Sequence, residues 1–234
     1  MIQLLTVSYN SHKLLQWCKY HFDNLNPGLK YEWHVIDNAL GKFKKTQGLI
    51  YHDGVEQPKE HLSLPNQKGK LYIGSIHHGL GLNEGLQYLD WNSDLIIVID
   101  PDFLLLTPLQ PIIDRINSEN LWFFGACYSN LGKNYIRSFP CGYCQFINPK
   151  FVKKEDLDYS VGYGDYLSDY YPDVGYKVMY KFINNPECKY YGISKNIDDM
   201  FFYKSGKFGL HLSAKPHLYG FKHKIEKLKH EIGL

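Results

Sequence analysis

No apolar stretch in this 234-residue chain approaches the roughly 20 residues that a bilayer-spanning helix needs. The N-terminus carries no positively charged segment followed by a long apolar one, so no signal peptide is expected. Neither sign of charge dominates. The formal net charge is +2, which gives no electrostatic reason to expect a nucleic acid or an anionic membrane as partner. Cysteine is sparse: there are five, and an odd count on a chain of this size does not read as a disulfide framework. Cys141-Gly142-Tyr143-Cys144 has CxxC spacing, yet no second CxxC or Cys/His pair completes a zinc site and no thioredoxin-like pattern surrounds it. These absences together lead us to expect a protein held in a reducing cytoplasm. Also missing is any G-x-x-x-x-G-K-[ST] segment, which argues against a P-loop nucleotide hydrolase. Gly79-Leu80-Gly81 has neither the spacing nor the preceding strand of a dinucleotide fingerprint. No internal repeat or low-complexity linker divides the chain.

What is present is ordinary in bulk: 44% hydrophobic and 21% charged residues, enough chain for one sizeable core. Aromatics reach 16%, with 20 tyrosines. A tyrosine has an apolar face and a polar tip, which suits sugar or base stacking and equally suits half-buried strands.

Along the chain, residues 1–7 read as a strand, and Ser8-Tyr9-Asn10-Ser11 as a polar turn with Ser11 placed to cap a helix. Leu14, Leu15, Trp17, Cys18 and Phe22 follow at helical spacing until Asn26-Pro27-Gly28. Residues 31–36 form a second strand ending at Asp37-Asn38, completing a βαβ unit. Residues 41–69 read as loops with short strands, and residues 77–89 as a helix. Leu95-Ile96-Ile97-Val98-Ile99 is apolar, β-branched and too short for a helix, so it is expected to be a buried strand. A helix opened by Thr107-Pro108, strands over 121–126 and 143–147, and short strands over 190–193 and 200–203 complete the pattern.

Asp100-Pro101-Asp102 ends the apolar run. Open α/β sheets bind ligands at the carboxyl ends of their strands. Two aspartates one residue apart can offer oxygens to a hard cation, which can in turn hold a diphosphate. Asp and Pro are also ordinary turn residues, so a plain strand-to-turn junction is the competing reading.

The order of these features resembles the family-2-type glycosyltransferases of GT-A fold. Four segments carry the resemblance: Thr6-Val7-Ser8-Tyr9-Asn10-Ser11, Val35-Ile36-Asp37-Asn38, Gly79-Leu80-Gly81-Leu82-Asn83-Glu84-Gly85, and Ile99-Asp100-Pro101-Asp102, the last similar to a DxD motif. The resemblance implies an α/β, Rossmann-like single domain with a mixed, mostly parallel sheet flanked by helices and an elaborated C-terminal acceptor region. Residues 1–110 would bind the nucleotide sugar, 111–219 the acceptor, and 220–234 would form an amphipathic helix. It further implies Mn²⁺ or Mg²⁺ bound by Asp100, Asp102 and His211, the histidine of Gly209-Leu210-His211-Leu212. Nucleotide-sugar contacts would come from Thr6, Ser8, Tyr9, Asn10, Asp37, Asn83, Asp100 and Lys215, with a UDP-sugar favoured; Asp37 would meet the base or a ribose hydroxyl. His217 lies close by with a lesser claim. His77 and His78 are adjacent on a helix, so their side chains diverge, and no metal is assigned to them.

Transfer with inversion requires a base for the acceptor hydroxyl. Asp173 is the first candidate, because Asp-Val-Gly-Tyr-Lys-Val resembles the family's acidic helix start. Asp169 is second and Asp165 third; a helix-capping role competes for Asp173. The acceptor would be a glycan, a lipid-linked glycan or a protein. In the tail, Phe221, Ile225, Leu228 and Ile232 share one helical face with lysines interleaved. That face is expected to pack on its own domain or on a second copy in a homodimer, with peripheral contact to an anionic membrane as the alternative. Two other functional classes stand beside the glycosyltransferase. One is a non-catalytic carbohydrate-binding relative. The other is a sugar nucleotidyltransferase, which would want a Gly-rich, Lys/Arg-bearing loop where Ser8-Tyr9-Asn10-Ser11 stands.

Overall fold

The computed structural model describes residues 1–9, 11–42, 45–57, 73–127, 139–161, 174–194, 200–204 and 206–211. The strands are β1 (Ile2–Ser8), β2 (Tyr31–Asp37), β3 (Ile50–Asp53), β4 (Leu95–Ile99), β5 (Phe103–Leu105), β6 (Phe123–Cys127), β7 (Cys144–Ile147), β8 (Tyr190–Ser194), β9 (Met200–Tyr203) and β10 (Gly206–His211). The α-helices are α1 (His12–Leu25), α2 (Ile73–Gly85), α3 (Gln110–Ser118) and α4 (Tyr176–Ile183). Among the described residues, no helix is long and apolar enough to cross a membrane. The expected tail helix over 220–234 lies outside the described residues.

Seven strands form one sheet in the order β3-β2-β1-β4-β7-β6-β8. β7 is antiparallel to both of its neighbours, β4 and β6, and every other pairing is parallel. The sheet is therefore mixed and mostly parallel, as the resemblance implied. Its central strands are apolar on both faces. In β4, Leu95, Ile97 and Ile99 join the core on one side, packed with Leu15, Cys18 and Phe22 of α1 and Ile112 and Ile116 of α3. Ile96 and Val98 join the other, with Leu82 of α2 and Val178 and Phe182 of α4. This explains the unbroken apolar run: a strand with a helical layer on each face has no solvent side to keep polar.

Ser11 directly precedes α1, as its sequence position suggested, but makes no side-chain capping bond; its hydroxyl lies 2.9 Å from the Ser8 hydroxyl instead. α2 begins before the expected residue 77 and its last turn tightens into a 3₁₀ helix, Leu86–Tyr88. Gly81 and Gly85 seat α2 against the sheet. A Cβ on Gly81 would lie 2.9 Å from the Val7 side chain, and one on Gly85 would overlap Leu5.

A second, three-stranded sheet, β5-β10-β9, is antiparallel. The sequence reading has no counterpart for β5 or β10. β5 starts immediately after the acidic triplet, and its register with β10 pairs Phe103 with His211. That pairing carries a residue from the far end of the described chain to the tip of β4.

Candidate functional site

The carboxyl ends of β1 and β4 and the N-terminal half of α2 enclose a cavity of about 430 Å³. Its walls include Val7, Tyr9, Ser11, Leu14, Asn38, Gln57, Gly74, His77, His78 and Asp100-Pro101-Asp102. Such a position, at the strand ends of an open α/β sheet, is where these folds bind ligands.

The acidic triplet is a tight turn. The Asp100 amide donates to the Tyr143 carbonyl at 3.0 Å, and the Phe103 amide donates to the Asp100 carbonyl at 3.0 Å, with Pro101 in the second position that its ring favours. The Cys18 thiol donates from below to the carbonyls of Pro101 at 3.2 Å and Phe103 at 3.5 Å. Asp102 is buried, at 7% exposure. His211 Nε2 stands 3.5 Å from Asp102 Oδ1, and the His211 ring is stacked on Tyr143 with centroids 4.9 Å apart. Asp100, Asp102 and His211 can each present a ligand atom, all within 4.8 Å of one another. Two carboxylates and an imidazole form a donor set suited to a small divalent cation such as Mn²⁺ or Mg²⁺. Burial by itself would raise the Asp102 carboxyl. The His211 hydrogen bond and charge, with a smaller contribution from His78, outweigh it and hold Asp102 below its usual range. The nearby Cys18 thiol is pushed far up, mainly by burial and secondarily by the charge on Asp102.

Sequence reasoning passed over His78. Its Nε2 lies 3.1 Å from Asp100 Oδ1. The two adjacent histidines do diverge. His77 turns aside, its Nε2 2.6 Å from the Val55 carbonyl oxygen and its ring edge-on to Tyr9, while His78 faces the acidic turn. The separation that argued against a shared metal is what frees one of them to reach Asp100.

The expected nucleotide-sugar contacts occupy different places. Tyr9, 64% exposed, lines the cavity, whereas Ser8 is buried between Val7 and Tyr9 with its hydroxyl 2.9 Å from that of Ser11. Thr6, expected among these contacts, is instead fully buried beneath the site. Its hydroxyl donates to the Ile99 carbonyl at 2.7 Å and accepts from Trp33 Nε1 at 2.9 Å, tying β1 to the end of β4. Asp37 is also buried, and its two oxygens accept the amides of Ala39 at 3.1 Å and Gly41 at 2.9 Å, the task of a turn-forming aspartate. Asn83 points at neither Asp100 nor the cavity wall. Its Oδ1 accepts the Tyr159 amide at 2.7 Å and its Nδ2 donates to Asp158 at 3.0 Å. Asn10, Asp165, Asp169, Asp173, Lys215 and His217 lie outside the described residues. The thiols of Cys141 and Cys144 are buried, and the Cys141 thiol donates to the Ala126 carbonyl at 3.2 Å.

No family model and no curated protein matches the sequence. Several solved structures are similar in outline. The galactosyltransferase LgtC, in complex with donor and acceptor sugar analogs, is 16% identical over 64% of this chain, with a TM-score of 0.42; the chain spans 58% of that protein's length. The catalytic domain of Drosophila β1,4-galactosyltransferase 7, in complex with xylobiose, is 13% identical over 93% of this chain and 73% of its own, at 0.47. The 4-diphosphocytidyl-2C-methyl-D-erythritol synthase of Anaerococcus prevotii is 11% identical over 96% of both chains, at 0.49.

Proposed function

We propose that the chain is a divalent-cation-dependent glycosyltransferase. It would move a sugar from a nucleoside diphosphate, UDP by preference, to a hydroxyl on a glycan, a lipid-linked glycan or a protein, with inversion at the anomeric carbon. The observation that carries this reading is the convergence of Asp100, Asp102 and His211 within 4.8 Å beside a cavity at the strand ends.

A bound Mn²⁺ or Mg²⁺ would supply Lewis-acid stabilisation of the charge that develops on the departing diphosphate. The rest falls to the chain. The neighbouring histidines favour the ionised form of Asp102, and Asp100 presents a second carboxylate at the tip of β4. The bonds to Cys18 and Tyr143 hold the backbone of that turn, so both carboxylates have a fixed origin. Tyr9 offers an aromatic surface to a base at the cavity mouth. A carboxylate accepts the proton of the acceptor hydroxyl as its oxygen bonds to the anomeric carbon and the bond to the diphosphate oxygen breaks. We assign that role first to Asp173 and then to Asp169.

The test is release of free nucleoside diphosphate from a panel of UDP-, GDP-, CDP- and dTDP-sugars with Mn²⁺, with Asp102→Ala as control. Cation-dependent release that Asp102→Ala abolishes is the expected result. Sugar binding with no turnover on any donor, indifferent to cation, would make the chain a carbohydrate-binding relative. Formation of a sugar nucleotide from a sugar phosphate would make it a nucleotidyltransferase.

A further inference from the structure

We propose that His78 is a positioning residue: from α2 it orients the Asp100 carboxylate for a divalent cation. The inference rests on the reading of the centre given above. Three observations support it. First, contact and place agree. Nε2 lies 3.1 Å from Asp100 Oδ1, yet among the described residues the atoms that converge within 4.8 Å belong to Asp100, Asp102 and His211. His78 thus touches the centre from outside it. Second, the placement is built into the helix. Residues 78, 81 and 85 recur at i, i+3 and i+7, which is one face of α2. Gly81 and Gly85 on that face let the backbone descend onto Val7 and Leu5, so the helix overhangs the ends of the strands and delivers His78 to Asp100. His77 fixes the rotation by anchoring to the Val55 carbonyl through its ring and to Asn38 Nδ2 through its own carbonyl.

Third, the arrangement is paired. Asp102 meets His211 from β10, and Asp100 meets His78 from α2. Carboxylates that serve a metal are oriented by hydrogen-bonding neighbours, and losing such a neighbour typically costs about 10–100-fold in metal affinity. At 3.1 Å, Nε2 stands at ion-pair distance from Oδ1 but is not aligned as a hydrogen bond to it, so the role we assign is to take up Oδ1 as the carboxylate turns toward a cation.

The experiment is a titration of the full chain with Mn²⁺, read from the electron paramagnetic resonance signal of the free ion, with thermal melting in chelator as a check on folding. The variants are His78→Ala, His78→Gln and Asp102→Ala. Wild type is expected to bind Mn²⁺ and Asp102→Ala to lose it. His78→Ala should bind about tenfold more weakly or worse at an unchanged melting temperature. His78→Gln, whose amide nitrogen can take the place of Nε2, should recover most of the affinity. Wild-type affinity in His78→Ala overturns the assignment while leaving the centre intact. Equal weakness in His78→Ala and His78→Gln also overturns it, because a donor in the same place should rescue. If His78→Ala fails to fold, His78→Gln decides: near-wild-type affinity supports the role and a loss overturns it. A wild type that binds no Mn²⁺ sinks the metal reading of the centre, and this inference with it.

Discussion

The Cys18 thiol, on the first helix, lies 3.2 Å from the carbonyl oxygen of Pro101, the middle residue of the acidic turn. A helical face otherwise devoted to the core thus holds the backbone between the two aspartates. Cys18→Ala removes this donor and a small buried volume. The expected destabilisation is about 1–2 kcal/mol, measured by urea unfolding. If the turn is the metal centre, Mn²⁺ affinity should fall as well; a variant that loses stability but keeps full affinity would show the thiol to be packing only.

The acidic turn was legible in the sequence because two local signals coincide there. An apolar β-branched run marks a strand covered on both faces, and the carboxylates mark its end. The strands β1 and β2 and the helix between them were legible for the same reason: periodicity and turn residues are written within a few positions. His211 was placed only by resemblance, since what brings it to Asp102 is its cross-strand pairing with Phe103, between β5 and β10, which lie far apart in sequence. Local patterning holds no record of that register. His78 was missed for a related reason. Which of two adjacent histidines faces the centre depends on how closely Gly81 and Gly85 let α2 approach the sheet. Asp37 and Asn83 show what residue type alone leaves out: both can bind a ligand, and their side-chain oxygens here also accept backbone amides.

The close seating of α2 gives a paired prediction. A Cβ on Gly79 would run into the carbonyl oxygen of Tyr159, a backbone atom that cannot swing aside. Gly79→Ala is therefore expected to cost about 1–3 kcal/mol from overpacking, even after a helix-propensity gain of up to ~1 kcal/mol. Gly74, in the first turn of the same helix, has nothing among the described residues within 4 Å of such a Cβ. Gly74→Ala should be neutral or stabilising by up to ~1 kcal/mol. Equal effects of the two changes in denaturant unfolding would refute the described packing of α2.

Asp158 sets a pH dependence. It accepts hydrogen bonds from Asn83 Nδ2, the Ser160 amide and hydroxyl, and Lys177 Nζ, linking α2 to α4. Burial alone would raise this carboxyl, but the donors, led by Lys177, outweigh it and bring it from 3.8 down to about 2. A carboxyl depressed in the folded state contributes stability above its unfolded value and loses it as pH falls through the folded one. The contribution is thus full near neutrality, declines between 3.8 and about 2, and is gone below that. Asp158→Asn should lower the urea midpoint at neutral pH, and the gap to wild type should narrow steadily below about pH 4. A gap that stays constant across this range would show that the ionised form of Asp158 adds nothing to stability.

Tyr9 gives the most direct reading of the donor side. It follows β1 at the cavity mouth, is 64% exposed, and stands edge-on to His77 with ring centroids 5.9 Å apart. So exposed a ring adds little to the core, and its loss should leave the melting temperature unchanged. If a uracil-type base stacks on it, the contact is worth roughly 1–3 kcal/mol. Because that contact is far from the bond being broken, it should be equally strong in the ground and transition states. Tyr9→Ala is then expected to raise KM for the sugar nucleotide by about five- to 150-fold with kcat nearly unchanged. Tyr9→Phe, which keeps the ring, should stay close to wild type. A fall in kcat at constant KM would instead assign Tyr9 to the reacting centre, and an unchanged KM in Tyr9→Ala would move the base elsewhere in the cavity.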